Sequence, residues 1–265
     1  MPELAVISDI HGNSLALKAV LADLETRGGA NQLLILGDLV AFGPDPGGVL
    51  RLLREYEPAI YILGDTDRYL VEKQYPTRTG YQRWQAEMLA SFFWTAYQLS
   101  AVDLRFLAGL SRSKLIRFDD DHIILAVHGS PRSDEESILP QTSDIELERM
   151  LAGDLFYNLL VCGHTHIPLD RVIDGRRVVN TGSVGLPFNG DPRASYVLID
   201  LQPHGEYEVE FRQVAYDIEA VVAQLDAARH PAAVMQSYNL RTARPLTQKL
   251  VYTNVMRQSQ VIRVS

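Results

Sequence analysis

The chain has one cysteine, Cys162, among 265 residues. That excludes an internal disulfide and suits a reducing compartment. Its place in the apolar run "LLVCG" marks it as a small packing residue rather than a nucleophile. No stretch approaches the ~20 apolar residues that a membrane span needs, and the opening "MPELAVISDIHG" lacks a basic segment followed by a long apolar run. We therefore expect a cytoplasmic protein with no membrane partner. Basic charge is scarce: 25 Lys and Arg face 33 Asp and Glu, a net charge of −8. Nonspecific nucleic-acid binding depends on clustered basic side chains neutralising phosphates, so nucleic acid is not an expected partner. Low-complexity segments and Pro/Gly/Ser-rich linkers are also missing, which leaves nothing to separate the two halves of the chain.

What charge there is lies unevenly. Residues 231–265 hold five basic residues (Arg241, Arg244, Lys249, Arg257 and Arg263) and no acidic one, against 20 basic and 33 acidic in residues 1–230. We expect residues 1–230 to form the domain and 231–265 a basic C-terminal extension, packed on it or swapped from a second copy. The β-prone "KLVYTNVM" could add an edge strand or cross to another chain, so a homo-oligomer is one expected assembly. A solvated extension fits the same composition.

The first third alternates strand and helix. "LAVIS" reads as a strand, "SLALKAVLADLETRG" as an amphipathic helix closed by Gly28, and "LLILG" as a second strand. Asp45 before Pro46 makes an N-cap and first-turn pair for a helix to about Tyr56, and "AIYILG" is a third strand. This pattern implies βαβ units and a mostly parallel sheet, with Asp9, Asp38 and Asp65 at the carboxyl ends of its strands. Residues 80–110 are helical in character, with a capping box from Ser100 to Asp103. The pattern then shifts towards β: "KLIRF" and "HIILAVHG" flank "DDD", Ser143 with Glu146 caps a short helix, and "LLVCGHTH" follows. "PLDRVI" and "RRVVNTG" flank the hairpin signal Asp174-Gly175, and "ASYVLIDL" and "YEVEFRQV" form a further pair before a helix near 217–228. We expect one domain whose second half supplies a further, more antiparallel sheet.

Five stretches share one design, an apolar strand ending in a metal-capable side chain beside glycine or another ligand type. They are "SDIHG" (Asp9, His11), "GDLV" (Asp38), "GDTD" (Asp65, Asp67), "AVHGS" (His128) and "CGHTH" (His164, His166). The i, i+2 spacing in D-x-H and H-T-H puts both side chains on one side of an extended segment, within reach of one ion or two adjacent ions. Taken singly, a Gly-Asp after a strand is a turn or a helix cap, and His128 is a satisfied core histidine. The five in this order form a site. His122, His204 and His230 lack such a context and read as surface or structural residues.

The series D-x-H, G-D, G-[ND]-x-D, a lone His after an apolar strand, and G-H-x-H followed by N-x-G-S resembles the calcineurin-like metallophosphoesterases. The resemblance spans about residues 1–215 and is closest to the bacterial branch of small phosphodiesterases. It implies an α+β fold, a four-layer α/β/β/α sandwich of two mixed sheets flanked by helices, with a dinuclear metal centre at one edge. Carried over, Asp9, His11 and His166 would hold one metal, Asp38 would bridge, and Asp65, His128 and His164 would hold the second. Mixed imidazole and carboxylate ligation suits two divalent transition metal ions, Mn, Fe, Zn or Co, rather than Ca. The implied reaction is in-line attack of a metal-bridging hydroxide on a small phosphodiester, cyclic nucleotides being a first guess, with Asp38, Asp65 and His128 acting through that hydroxide. No covalent intermediate is implied, which fits the absence of a convincing Ser or Cys nucleophile.

Two positions depart from the family. Asp65 stands where Asn is usual, adding a third carboxylate and removing an amide donor. We expect it to keep or tighten metal binding while weakening attraction for an anionic substrate. Thr66 stands where many members place a histidine that assists the leaving group, which favours diesters over monoesters. Around the site, Asn13 and Asn180 are expected to offer amides to phosphate or position ligands. Asp67 is expected to orient a ligand histidine, and Arg68 could meet a substrate phosphate; a helix cap and a solvated helix-start arginine are their plain alternatives. The polar loop "GSPRSDEESILPQTS" is expected to border the cleft. Two other readings stay open: a phosphomonoesterase of the same fold, and a non-catalytic scaffold like the retromer subunit that shares it.

Overall fold

Every residue of β1 (Leu4–Ile7) is buried, because the strand is covered on both faces. The computed structural model describes residues 3–76 and 83–246. After β1 come α1 (Ser14–Thr26), β2 (Gln32–Ile35), α2 (Pro46–Arg54), β3 (Ala59–Tyr61), α3 (Asp65–Glu72), α4 (Arg83–Gln98) and α5 (Ala101–Ala108). The second half adds β4 (Ser113–Arg117), β5 (Ile123–Val127), α6 (Asp144–Leu151), β6 (Leu159–Cys162), β7 (Leu169–Ile173), β8 (Arg176–Asn180), β9 (Ala194–Gln202), β10 (Glu206–Val214), α7 (Ile218–Ala227) and α8 (Ala233–Thr242). The helix starts follow the local chemistry. Asp45 accepts the Gly48 amide ahead of Pro46, Ser100 and Asp103 close a reciprocal capping box, and Ser143 accepts the Glu146 amide.

The strands form two five-stranded mixed sheets, ordered β10-β9-β1-β2-β3 and β4-β5-β6-β8-β7. In the first, β1, β2 and β3 are parallel, while β9 runs antiparallel to both β1 and β10. In the second, β5, β6 and β8 are parallel, with antiparallel β4 and β7 at the edges. This corrects the expectation of a second, more antiparallel sheet. β9 pairs with β1 through Leu4 and Ile199, so the last hairpin completes the first sheet, and each sheet has two parallel and two antiparallel pairings. The choice of partner is long-range, and no local pattern carries it.

Side chains alternate across the pleat to make the layers. Leu4, Val6 and Leu34 of the first sheet meet Ile124, Ala126, Leu159 and Val161 of the second in an apolar seam. Ala5, Ile7, Leu33 and Ile35 point the other way, onto the helical layer with Leu17, Val20 and Leu50. Leu125, Leu160, Cys162 and Val178 cover the outer face of the second sheet with Leu147 and Met150 of α6. The result is the α/β/β/α sandwich. Because β1, β2, β3, β5, β6 and β8 all lie in parallel runs, their carboxyl ends can collect at one edge of the seam.

Part of the expected basic extension is described. α8 packs on α7 through Leu240 with Val221, Val222 and Leu225, and Arg241 pairs with Glu219 at 2.6 Å. The stretch "KLVYTNVM", with Lys249, and also Arg257 and Arg263, lie outside the described residues.

Candidate metal centre

The two Ile-Leu-Gly-Asp segments meet back to back. Gly37 has φ +93°, and a Cβ there would lie 2.3 Å from the amide nitrogen of Gly64. A Cβ on Gly64 would in turn lie 2.2 Å from Oδ1 of Asp38. Only two glycines allow this approach, and it sets Asp38 beside the start of α3 at Asp65. Asp38 Oδ1 accepts the Thr66 amide at 3.0 Å.

Around this contact the seven expected donors converge in two groups, Asp9, His11, Asp38 and His166, and Asp65, His128 and His164. Within each, the donor atoms all lie within 4.8 Å of one another. His11 Nε2 is 3.2 Å from His166 Nε2 and 3.5 Å from Asp38 Oδ2, and His166 Nε2 is 3.4 Å from Asp9 Oδ1. In the second group, Asp65 Oδ1 is 3.1 Å from His128 Nε2 and 3.4 Å from His164 Nδ1. Asp38 stands between the groups, its Oδ1 3.5 Å from His128 Nε2. Each group draws on both sheets: Asp9, His11, Asp38 and Asp65 follow β1, β2 and β3, while His128, His164 and His166 follow β5 and β6.

The convergence is not made by an extended segment, as the i, i+2 spacing suggested. Asp9, His11, Asp38, His164 and His166 all have φ between 48° and 68°. Left-handed backbone is uncommon outside glycine, and five of the seven donors adopt it. The chain curls at each pair, and both side chains turn inward from the bend. Such conformations persist only where surrounding structure holds them and gather at functional sites. Here the Asp9 carboxylate accepts the His164 amide at 3.0 Å and so ties one bend to the other.

Backbone carbonyls fix the imidazoles. Nδ1–H of His11, His128 and His166 donates to Ala41, Leu36 and Leu186 at 3.1, 2.6 and 2.5 Å, which turns each Nε2 towards the site. Burial first, then neighbouring histidines, hold His11 and His166 down at about 3, so both are neutral. Two neutral imidazole lone pairs 3.2 Å apart beside buried carboxylates form a donor set that fits a divalent cation of intermediate softness. Burial and then the Asp65 charge push the Asp38 carboxyl well up. Burial also raises Asp65, but hydrogen bonds and charge from His128 and His164 outweigh it and hold that carboxyl far below the usual range. His128 is raised despite burial, chiefly by Asp38 and Asp65.

The four flanking residues sort differently. Asn180 Nδ2 donates to Gly163 O at 2.6 Å and Thr165 Oγ1 at 3.0 Å, while its Oδ1 accepts the Gly182 amide, so it shapes the H-T-H bend. Asn13 caps α1 at Ala16 and donates to Gly185 O. Asp67 contacts no histidine side chain at hydrogen-bond distance; its carboxylate accepts the Leu39 amide at 3.0 Å and holds the loop after Asp38. Arg68 turns away from the donors, paired with Asp134 and Glu135 at 2.5 Å. That pairing pins the polar loop 129–143 to α3, and none of the loop's described residues lines the cleft described next. Thr66 is buried, and among the described residues its hydroxyl has no hydrogen-bond partner.

A cleft of about 530 Å³ opens over the donors. Its walls were not anticipated. One carries Phe42, Phe92 and Tyr75 in successive ring contacts of 5.0 and 5.4 Å, starting from His11 against Phe42 at 5.5 Å. Another carries Phe188, stacked on His166 at 4.5 Å, with Met235, Gln236 and Asn239 of α8. These residues come from five separate segments, and the one local signal was the run "MLASFFW", too apolar for a helix with one buried face.

The family model of the calcineurin-like phosphoesterase superfamily domain matches residues 3–204. The chain belongs to this superfamily. As a calcineurin-like phosphoesterase it is a hydrolytic, metal-dependent enzyme. It is 28% identical to an uncharacterised protein of Methanocaldococcus jannaschii over 86% of this chain and 93% of the relative. A symmetrical bis(5′-nucleosyl)-tetraphosphatase of Pectobacterium carotovorum is 28% identical over 57% of this chain, which spans 51% of that relative. Among solved structures, a metallophosphoesterase from Sphaerobacter thermophilus superposes with a TM-score of 0.71 at 29% identity, covering 91% of this phosphoesterase and 98% of that chain.

Proposed function

We propose that this phosphoesterase hydrolyses small phosphodiesters using two divalent transition metal ions of the Mn, Fe, Zn or Co class. The observation that carries the reading is Asp38, whose Oδ2 and Oδ1 each lie 3.5 Å from the Nε2 of a histidine in a different donor group. A carboxylate so placed is suited to bridging. Asp9, His11 and His166 would hold one ion, and Asp65, His128 and His164 the other. When bound, such a pair supplies positive charge at the phosphate oxygens and a nucleophile from water at neutral pH. The residues themselves orient and exclude. The carbonyls of Leu36, Ala41 and Leu186 lock the imidazoles, and Phe42 and Phe188 flank His11 and His166.

Thr66 supplies no general acid where a histidine would, so the rate should depend steeply on the leaving group. That favours diesters with good leaving groups over monoesters. The tetraphosphatase relative supports a phosphate-linked nucleoside as the broad substrate class. Residues 1–230 would form the catalytic domain, with the extension lending α8 to one wall. A cytoplasmic setting belongs to the same proposal and rests on the single buried cysteine.

The test is turnover of bis(p-nitrophenyl) phosphate with added Mn²⁺. We expect activity that a chelator abolishes, and a lower kcat/KM for p-nitrophenyl phosphate. No turnover with any of the four metals would remove the reading, and a large monoester preference would remove its diester part.

A further inference from the structure

The cleft is much larger than a phosphate requires. At about 530 Å³ it falls within the range of whole small-molecule sites, roughly 300–1,000 Å³. The donors occupy only its floor. Above them stand the ring series of Phe42, Phe92 and Tyr75 and, from other segments, Phe188 and Met235. Aromatic and thioether surfaces suit a flat ring, which they can meet face or edge on.

Two amides interrupt the apolar lining. Gln236 and Asn239 are buried, at 3% and 5% exposure, and both line the cleft. Asn239 is spent on the protein: its Oδ1 accepts the Leu246 amide at 2.8 Å, and its Nδ2 donates to Gln236 Oε1 at 3.4 Å. That contact orients the Gln236 amide. Among the described residues no acceptor engages Gln236 Nε2, and Gln236 lines the cleft, so this amide is available to a ligand there. A ligand acceptor placed there would gain a hydrogen bond from an amide that the protein already orients.

Charge narrows the ligand further. Among the described residues that line the cleft there is no lysine or arginine, while Asp38 and Asp65 lie on its floor. A chain of several phosphates gains from cationic partners beyond the metal centre, and the described walls provide none.

We infer that the outer cleft is a subsite for a neutral planar heteroaromatic group of nucleobase type, joined to a single phosphoester, with Gln236 as its reading residue. This rests on the phosphodiesterase reading and sharpens it: the site selects one phosphate and one base, and discriminates against polyphosphates. The ring lies between the aromatic walls, and Gln236 Nε2 donates to a ring nitrogen or carbonyl at its edge. Stacking alone tolerates any base, and an oriented amide adds choice.

The experiment is calorimetric titration of the full, Mn²⁺-loaded chain with inorganic phosphate, phenyl phosphate, adenosine 5′-monophosphate and bis(5′-adenosyl) tetraphosphate. We expect the adenosine monophosphate to bind at least about tenfold more tightly than phosphate and several-fold more tightly than phenyl phosphate, with the tetraphosphate no tighter than the monophosphate. Gln236→Ala and the similarly sized Gln236→Met should both bring the nucleotide down to the phenyl phosphate level; the Met variant keeps the test readable if the Ala variant folds poorly. Equal binding of nucleotide and phosphate would overturn the subsite. A nucleotide no tighter than phenyl phosphate, or undiminished in Gln236→Met, would overturn the reading role. A tenfold tighter tetraphosphate would overturn the charge selection. Aryl diester turnover without nucleotide preference would defeat this inference alone, whereas nucleotide preference without turnover would defeat the phosphodiesterase reading alone.

Discussion

Asp65 stays ionised because the two histidines that face it more than offset its burial. Its charge lies beside the carboxyls of Asp9 and Asp38, at the point where an anionic ester must arrive. Two unit charges about 4 Å apart exchange roughly 4 kcal/mol at an effective dielectric near 20, so even a screened remainder is felt. Asp65→Asn should therefore raise kcat/KM for an anionic diester about tenfold, equal to about 1.4 kcal/mol, and loosen the metal it faces. Metal content and rate measured side by side check this, and an unchanged rate would remove the charge argument. Asn180 acts through others. Two of its three described side-chain bonds hold the bend carrying His164 and His166 and the third holds the turn at Gly182, so Asn180→Ala should weaken Mn²⁺ binding about 10–100-fold, with a stability loss of about 1–3 kcal/mol. Calorimetric metal titration and a thermal melt read the two effects. A variant with normal metal affinity would show that the bend holds without it.

At the scale of elements, the join between α4 and the connection leading into α8 depends on a histidine that must stay neutral. His230 Nδ1 accepts the Ala232 amide at 3.2 Å, which leaves the proton on Nε2 to meet Ser91 Oγ at 3.0 Å. With its proton already on the serine side, the imidazole is no base for Ser91, and the pair is structural. Burial lowers His230 from 6.5 to about 4. The unfolded chain takes up a proton below about 6.5 and the folded chain does not, so this contribution is whole above that pH and drains away towards 4. Between about pH 7 and pH 5 the loss should be about 2 kcal/mol. Urea unfolding of the protein and of His230→Gln at both pH values isolates it: the variant's curve should be flatter by that amount, and equal slopes would remove the explanation. This contact also shows where legibility ended. The seven donors were readable because each follows an apolar strand beside glycine or a second ligand, and the capping residues because caps act within four positions. His230 offered no local sign of its role. The cleft walls offered only the apolar run in α4, their other parts coming from Phe42, Tyr75, Phe188 and α8, and the pairing of β9 with β1 offered nothing, because contacts between remote segments leave no periodicity in either one. The i, i+2 motif was read rightly as convergent but wrongly as extended, since left-handed φ at non-glycine residues is imposed by tertiary contacts.

For the whole molecule, the consequence is that the donor groups straddle the seam. Asp9, His11, Asp38 and Asp65 hang from the first sheet, and His128, His164 and His166 from the second, so an ion in either group ties the two sheets together at one edge. Without a cation that edge buries three carboxylates together, with burial and the Asp65 charge acting against an ionised Asp38, while the rest of the seam is held by apolar contacts such as Leu34 and Val161. Metal should therefore stabilise the folded chain as a whole. Binding to the native state alone adds about 2.7 kcal/mol per site at a hundredfold excess over Kd. For a chain of this size that corresponds to a rise in Tm of roughly 5–10 °C. Scanning calorimetry of chelator-treated and Mn²⁺-loaded protein measures the shift. The seam also predicts where the change falls. In hydrogen exchange, amides at the carboxyl ends of β1, β2, β5 and β6 should lose protection on chelation, while α7 and the β9–β10 hairpin keep theirs. A shift of less than about 1 °C at saturating metal, or uniform loss of protection, would mean that the sheets are joined by the apolar seam alone.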